Sequence, residues 1–135
     1  MPGAGKSSVG VILAKVLGYE FIDTDLVIQH REKRLLREII ADEGNEGFLA
    51  IENEVNATLE ADKSVIAPGG SAIYGKEAME HFKEIGTIVY LKLSYEDLAK
   101  RLGNLKGRGV VLKEGQTLKD LYDERSKLYL SLIHI

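Results

Sequence analysis

Cysteine and tryptophan are absent from this 135-residue chain, and proline occurs only twice, as Pro2 and Pro68. Without cysteine there can be no disulfide staple, thiolate metal site or cysteine nucleophile, and the composition fits a reducing compartment. A one-sided charge is lacking too. Eighteen Lys and Arg against 21 Asp and Glu leave a net charge of −3, which offers no polybasic field to nucleic acid or anionic lipid. Charges interrupt every apolar run well before the roughly 18 residues of a membrane span. Met1-Pro2-Gly3-Ala4-Gly5-Lys6 also lacks the basic-then-apolar order of a secretion signal. Repeats, low-complexity tracts and Pro/Gly/Ser linkers are missing as well. What remains is 44% apolar and 29% charged, ordinary globular composition at a length for one domain rather than two. The expectation is a single soluble domain, 1–135, in the cytoplasm, with no nucleic-acid or membrane partner.

Short β-rich runs alternate with longer helical patterns. Val9, Ile12, Leu13 and Val16 recur at helical spacing, and Gly18 stands where a C-terminal cap belongs. Residues 19–22 read as a strand, 25–32 as a short helix, and Leu35, Leu36, Ile39 and Ile40 as a second helical stripe. Phe48, Ile51, Val55 and Leu59 mark a third helix, which leaves Glu52 as a solvent-facing or structural residue. A strand at 64–67 runs into Pro68-Gly69-Gly70, a helix covers 76–83, and 87–91 is the clearest strand pattern. Ser94 and Thr117 each open a capping pattern before a helix, and residues 103–115, with four glycines and three cations, read as a loop. Strands separated by helices predict an α/β fold built on a parallel sheet.

Gly3-Ala4-Gly5-Lys6-Ser7 matches the end of a phosphate-binding loop, Gly-x4-Gly-Lys-[Ser/Thr]. Glycines let successive backbone N–H groups turn inward on phosphate oxygens, and the following helix brings its positive end to the anion. Gly3, Ala4, Gly5, Lys6, Ser7 and Ser8 are therefore the expected nucleotide contacts, with Lys6 on the β- and γ-phosphates and the Ser7 hydroxyl on Mg²⁺. The alternative is a glycine turn before an ordinary helix. The first glycine of the full motif and the buried strand that feeds such a loop would both precede Met1, so the pattern reads as truncated at that end.

Phe21-Ile22-Asp23-Thr24-Asp25 places two carboxylates two residues apart at a strand end, where one can serve a metal and the other an acceptor hydroxyl, or both can cap the next helix. Together with the phosphate loop, Gly69-Gly70, Arg108 and Glu124-Arg125-Ser126-Lys127-Leu128-Tyr129, this set resembles the shikimate kinase family over essentially the whole chain. The resemblance implies a three-layer P-loop kinase fold of the nucleoside-monophosphate-kinase type with its first strand missing. A substrate-binding helical segment is expected at about 25–62 and a lid at about 103–115. It implies ATP and Mg²⁺ as cofactors, a monomer, and phosphorylation of a shikimate hydroxyl. Residue by residue it implies Lys6, Asp25 and Arg108 as catalytic, Ser7 and Asp23 on the metal, Arg108 on the nucleotide, and Asp25, Gly69, Gly70 and Arg125 on the substrate.

Two positions depart from the family pattern. Leu49 in Phe48-Leu49-Ala50-Ile51-Glu52 stands where a second carboxylate-binding arginine belongs, and Ser71 replaces a third glycine. Arg31, Lys33, Arg34 and Arg37 are the sequence-near candidates for a substitute cation. The departures motivate two other readings, a kinase for a different polyol or sugar acid and a catalytically silent nucleotide-binding module. Arg108-Gly109 stands where the family has arginine and proline, and residues 130–135 read either as a helix end or as a sequence artefact, the artefact being favoured.

Overall fold

Helix α1, Lys6–Leu17, starts directly after Gly5 and stops at Gly18. Both glycines are left-handed, at φ 88° and 70°, a conformation that costs other residues about 1–2 kcal/mol. The opening glycine motif thus delivers its helix where the sequence places it. The computed structural model describes residues 5–102 and 115–133. Gly3, Ala4, Arg108 and the lid segment apart from Gly115 lie outside the described residues.

Strand β1 (Glu20–Asp23) pairs in parallel with β2 (Ser64–Ala67), Glu20 opposite Ser64 and Asp23 opposite Ala67. A parallel pair needs a crossover, here α2 (Thr24–Glu32) and α3 (Leu36–Ala57). Gly44, at φ 73°, breaks α3 into the two helical stretches that the sequence suggests. Ile28, Ile39, Phe48 and Val55 form the core of this crossover. Because the strands are parallel and in register, Asp23 and Ala67 end at the same edge of the sheet, and Asp25 and Gly69 follow them within two residues.

A 3₁₀ turn, Gly70–Tyr74, then leads into α4, Lys76–Ile85. Asn53 ties α4 to α3: its Oδ1 accepts from the Ala78 N–H at 3.0 Å and its Nδ2 donates to Glu77 Oε2 at 2.9 Å. Helices α5 (Tyr95–Leu102) and α6 (Leu118–Ile133) make a second cluster around fully buried Leu98. There the Tyr122 hydroxyl donates to the Leu93 carbonyl at 2.8 Å. Residues 130–133 continue α6.

One expectation is corrected. Residues 87–91 enter no β-ladder among the described residues, so the sheet there has two strands. Residues 88–91 instead line an apolar cavity of about 160 Å³ together with Val65, Ile66 and Ala67 of β2, so their apolar side chains border that space without a strand partner among the described residues. Helix α1 forms where its apolar spacing predicts. Its buried residues are Gly10 and Ala14, whereas Ile12 is 65% and Val16 76% exposed. A β-carbon at Gly10 would come within 2.8 Å of Phe21 Cε2, so α1 lies on the sheet through its smallest residues and leaves its larger ones outward.

Candidate active site

The edge where β1 and β2 end holds the carboxylates that the sequence singles out. Asp23 does take the capping role: its Oδ1 accepts from the Asp25 N–H at 2.9 Å, with Asp23 extended at φ −93° just ahead of α2. A carboxylate has a second oxygen, so capping and metal binding are compatible. Asp25, one residue into the helix, turns toward Gly69, with Oδ1 2.9 Å from where a β-carbon on that glycine would sit. Burial, and then the neighbouring Asp23 charge, raise the Asp25 carboxyl above the usual carboxylate range, while Lys6 pulls it back. Lys6 and Asp25 therefore share one electrostatic neighbourhood, and Lys6, Gly69 and Gly70 border the same cavity. Gly5 opens the helix that carries Lys6, and Ser7 and Ser8 sit in its exposed first turn.

Arg125, on α6, is 1% exposed. Its Nε donates to the Tyr74 hydroxyl at 3.4 Å and its guanidinium lies 5.3 Å from the Tyr74 ring centre. A surface pair with Asp123 is ruled out by this burial, and Asp123 instead accepts from Lys119 Nζ at 3.0 Å. The Tyr129 hydroxyl donates to the Gly70 carbonyl, so α6 clamps the glycine turn as well as supplying the arginine.

The substitute cations do not gather here. Arg31 pairs with Glu54 at 2.9 Å, and Arg34 engages Glu32, Asp42 and Glu43. Lys33 and Arg37 are exposed. Leu49 packs against the α2–α3 core, so an apolar contact occupies the position where the resemblance places a second arginine.

Of the two readings of Glu52, solvent-facing or structural, burial removes the first. The residue is 1% exposed, and its Oε1 accepts from the Ser71 hydroxyl at 2.7 Å. Burial pushes its carboxyl up to about 7, the Ser71 hydrogen bond opposes this, Asp25 adds to it and Arg125 counteracts it. The signal was in the periodicity: Phe48, Glu52 and Val55 are spaced i, i+4, i+7 and share the buried face. Arg101 was passed over. Its guanidinium lies 3.5 Å from where a β-carbon on Gly5 would be, so the end of α5 reaches the phosphate loop.

For a metal, the donor chemistry is hard oxygen. Among the described residues no group of three or more His, Asp or Glu forms a cage. Mg²⁺ asks for less, since it keeps several waters and takes one or two protein oxygens alongside substrate phosphates. The Ser7 hydroxyl and the second oxygen of Asp23 fit that requirement.

Comparison with known proteins finds relatives over nearly the whole chain. The family model described as Shikimate kinase matches residues 2–135. Shikimate kinase 2 of Yersinia pseudotuberculosis is 34% identical over 141 residues, covering 98% of this chain and 79% of that protein. Among solved structures, shikimate kinase from Acinetobacter baumannii in complex with shikimate superposes with a TM-score of 0.83 at 35% identity, over 96% of this chain and 74% of that one. The enzyme from Aquifex aeolicus gives 0.78 at 30% identity, over 97% and 79%.

Proposed function

Because this chain belongs to the shikimate kinase family, we propose that the edge formed by Lys6, Asp25, Gly69 and Arg125 is where it transfers the γ-phosphoryl group of ATP to a hydroxyl of shikimate. The observation that carries this reading is the convergence of a phosphate-loop lysine and a buried carboxylate on one glycine turn.

Asp25 accepts the hydroxyl proton as the acceptor oxygen bonds to the γ-phosphorus and the bond to the bridging oxygen breaks, leaving ADP. Its environment suits this, because a carboxyl raised above its usual range is a better base. Lys6 holds the β- and γ-phosphates together with the N–H groups of residues 3–8, and Arg108 adds a cation from the lid. Ser7 and Asp23 hold Mg²⁺, which neutralises phosphate charge when bound. Gly69 and Gly70 bring backbone against the acceptor, and Arg125 holds its carboxylate. Phosphoryl transfer depends on such positioning and charge balance more than on covalent chemistry. In the finer reading the enzyme is a cytoplasmic monomer, and its cysteine-free composition supports a reducing compartment.

The test is transfer from [γ-³²P]ATP across a panel of hydroxy acids. Shikimate is expected to be the preferred acceptor, and faster turnover of another polyol acid would reassign it, as apolar Leu49 would allow. Asp25→Asn is expected to lower turnover by about 10²–10⁴-fold while sparing nucleotide binding. Unchanged turnover would remove Asp25 from the mechanism.

A further inference from the structure

The acceptor side of the site sets two carboxyl groups, Asp25 from α2 and Glu52 from α3, against the arginine of α6. Both converge on Gly69: a β-carbon there would lie 2.9 Å from Asp25 Oδ1 and 3.1 Å from Glu52 Oε2. Ser71, itself only 7% exposed, donates to Glu52 Oε1 at 2.7 Å across 19 residues of sequence. Glu52 Oε2 is buried and has no hydrogen-bond partner among the described residues. One oxygen of this carboxyl is therefore fixed, and the other is aimed where the acceptor would meet Asp25.

We propose that Ser71 is a positioning residue that holds Glu52 by one oxygen, and that Glu52, through its proton, sets how firmly Arg125 binds the acceptor carboxylate. The proposal rests on the reading of Asp25, Gly69 and Arg125 as the acceptor site. The groups facing Glu52 are Ser71 from the 3₁₀ turn, Asp25 from α2 and Arg125 from α6, while Lys6 from α1 acts on Asp25. A neutral Glu52 leaves the Arg125 charge to the incoming carboxylate. An ionised Glu52 competes for that charge and repels the acid. Burial brings the change between these states to about pH 7. The hydroxyl of Ser71 stabilises the ionised form, so removing it should move the change to higher pH.

The experiment measures KM for shikimate, and kcat, from pH 6 to 8.5 for the full chain and for Glu52→Gln and Ser71→Ala. In the unsubstituted protein KM should rise about three- to tenfold between pH 6 and 8. The rise should vanish in Glu52→Gln, and its midpoint should move upward in Ser71→Ala with kcat changed less than about twofold. Should Glu52→Gln not fold, the Ser71→Ala midpoint decides. A flat KM in the unsubstituted protein, or an unmoved midpoint in Ser71→Ala, overturns the proposal and leaves the kinase reading standing. ATP consumption with no acid acceptor at all rejects both.

Discussion

Gly69 is the position where one added methyl group would meet both acidic side chains of the site. Its β-carbon would lie 2.9 Å from Asp25 Oδ1 and 3.1 Å from Glu52 Oε2, so these two carboxyl groups from separate helices would have to shift. Gly69→Ala is expected to cost about 1–3 kcal/mol in denaturant unfolding and to raise KM for the acceptor. Full stability with normal KM would mean that the turn adjusts freely. Glu52 carries a second prediction. Burial pushes its carboxyl up to about 7, above the ordinary glutamate value of 4.5, so the folded protein holds a proton that the unfolded chain releases. Its contribution is full below about pH 4.5, falls as pH rises to about 7, and is level beyond. Thermal unfolding should show that fall as a contribution of up to about 3 kcal/mol, and Glu52→Gln should flatten it. An identical slope in the variant would place the titration elsewhere.

The helices that deliver these residues are held by caps that can be tested singly. At the start of α6 the Thr117 hydroxyl accepts from the Asp120 N–H at 3.2 Å, and Asp120 Oδ2 accepts from the Thr117 N–H at 3.1 Å. This reciprocal box anchors the helix that carries Arg125 and Tyr129. Thr117→Ala should lower stability by about 1 kcal/mol, seen as a reduced urea midpoint. The kink of α3 behaves differently. Gly44 combines φ 73° with ψ 175°, a backbone conformation almost confined to glycine, yet a β-carbon there would meet nothing within 4 Å. Gly44→Ala therefore tests backbone conformation alone, with an expected loss of about 1–3 kcal/mol and no change in KM. A larger loss would mean that the kink also sets the packing between Ile39 and Phe48.

Across the molecule, the proposed site draws on α1, both strand ends, α2, α3, the 3₁₀ turn and α6, elements far apart in sequence. Ligands that bridge them should stabilise the whole. With MgADP or shikimate at 100 times its dissociation constant the expected gain is about 2.7 kcal/mol, read as a raised Tm. A rise with MgADP and none with shikimate would keep the nucleotide site and overturn the acceptor assignment. The apolar cavity beside β2 and the outward residues of α1 predict dye binding by the folded protein, since apolar surface there meets water. Absence of dye binding under native conditions would show that this surface is covered in solution.

Local chemistry made much of this legible beforehand. Gly5 and Gly18 announce the ends of α1 because a left-handed residue favours glycine, and Asp23 announces the start of α2 because a carboxylate satisfies a free N–H. The order of the phosphate loop, the carboxylate pair and the glycine turn carried the family and its reaction. Burial and partnership were another matter, because they depend on residues distant in sequence. Helical spacing marked α1 as a helix but not which of its residues meet the sheet: Gly10 and Ala14 are the buried ones, Gly10 against Phe21. Residues 87–91 have strand composition, yet a ladder needs a strand partner, and among the described residues they have none, with 88–91 bordering a cavity instead. Glu52 read as either solvent-facing or structural. Its role emerges only when α2, α3 and the 3₁₀ turn close around it, removing water and leaving Ser71, Asp25 and Arg125 to govern its proton.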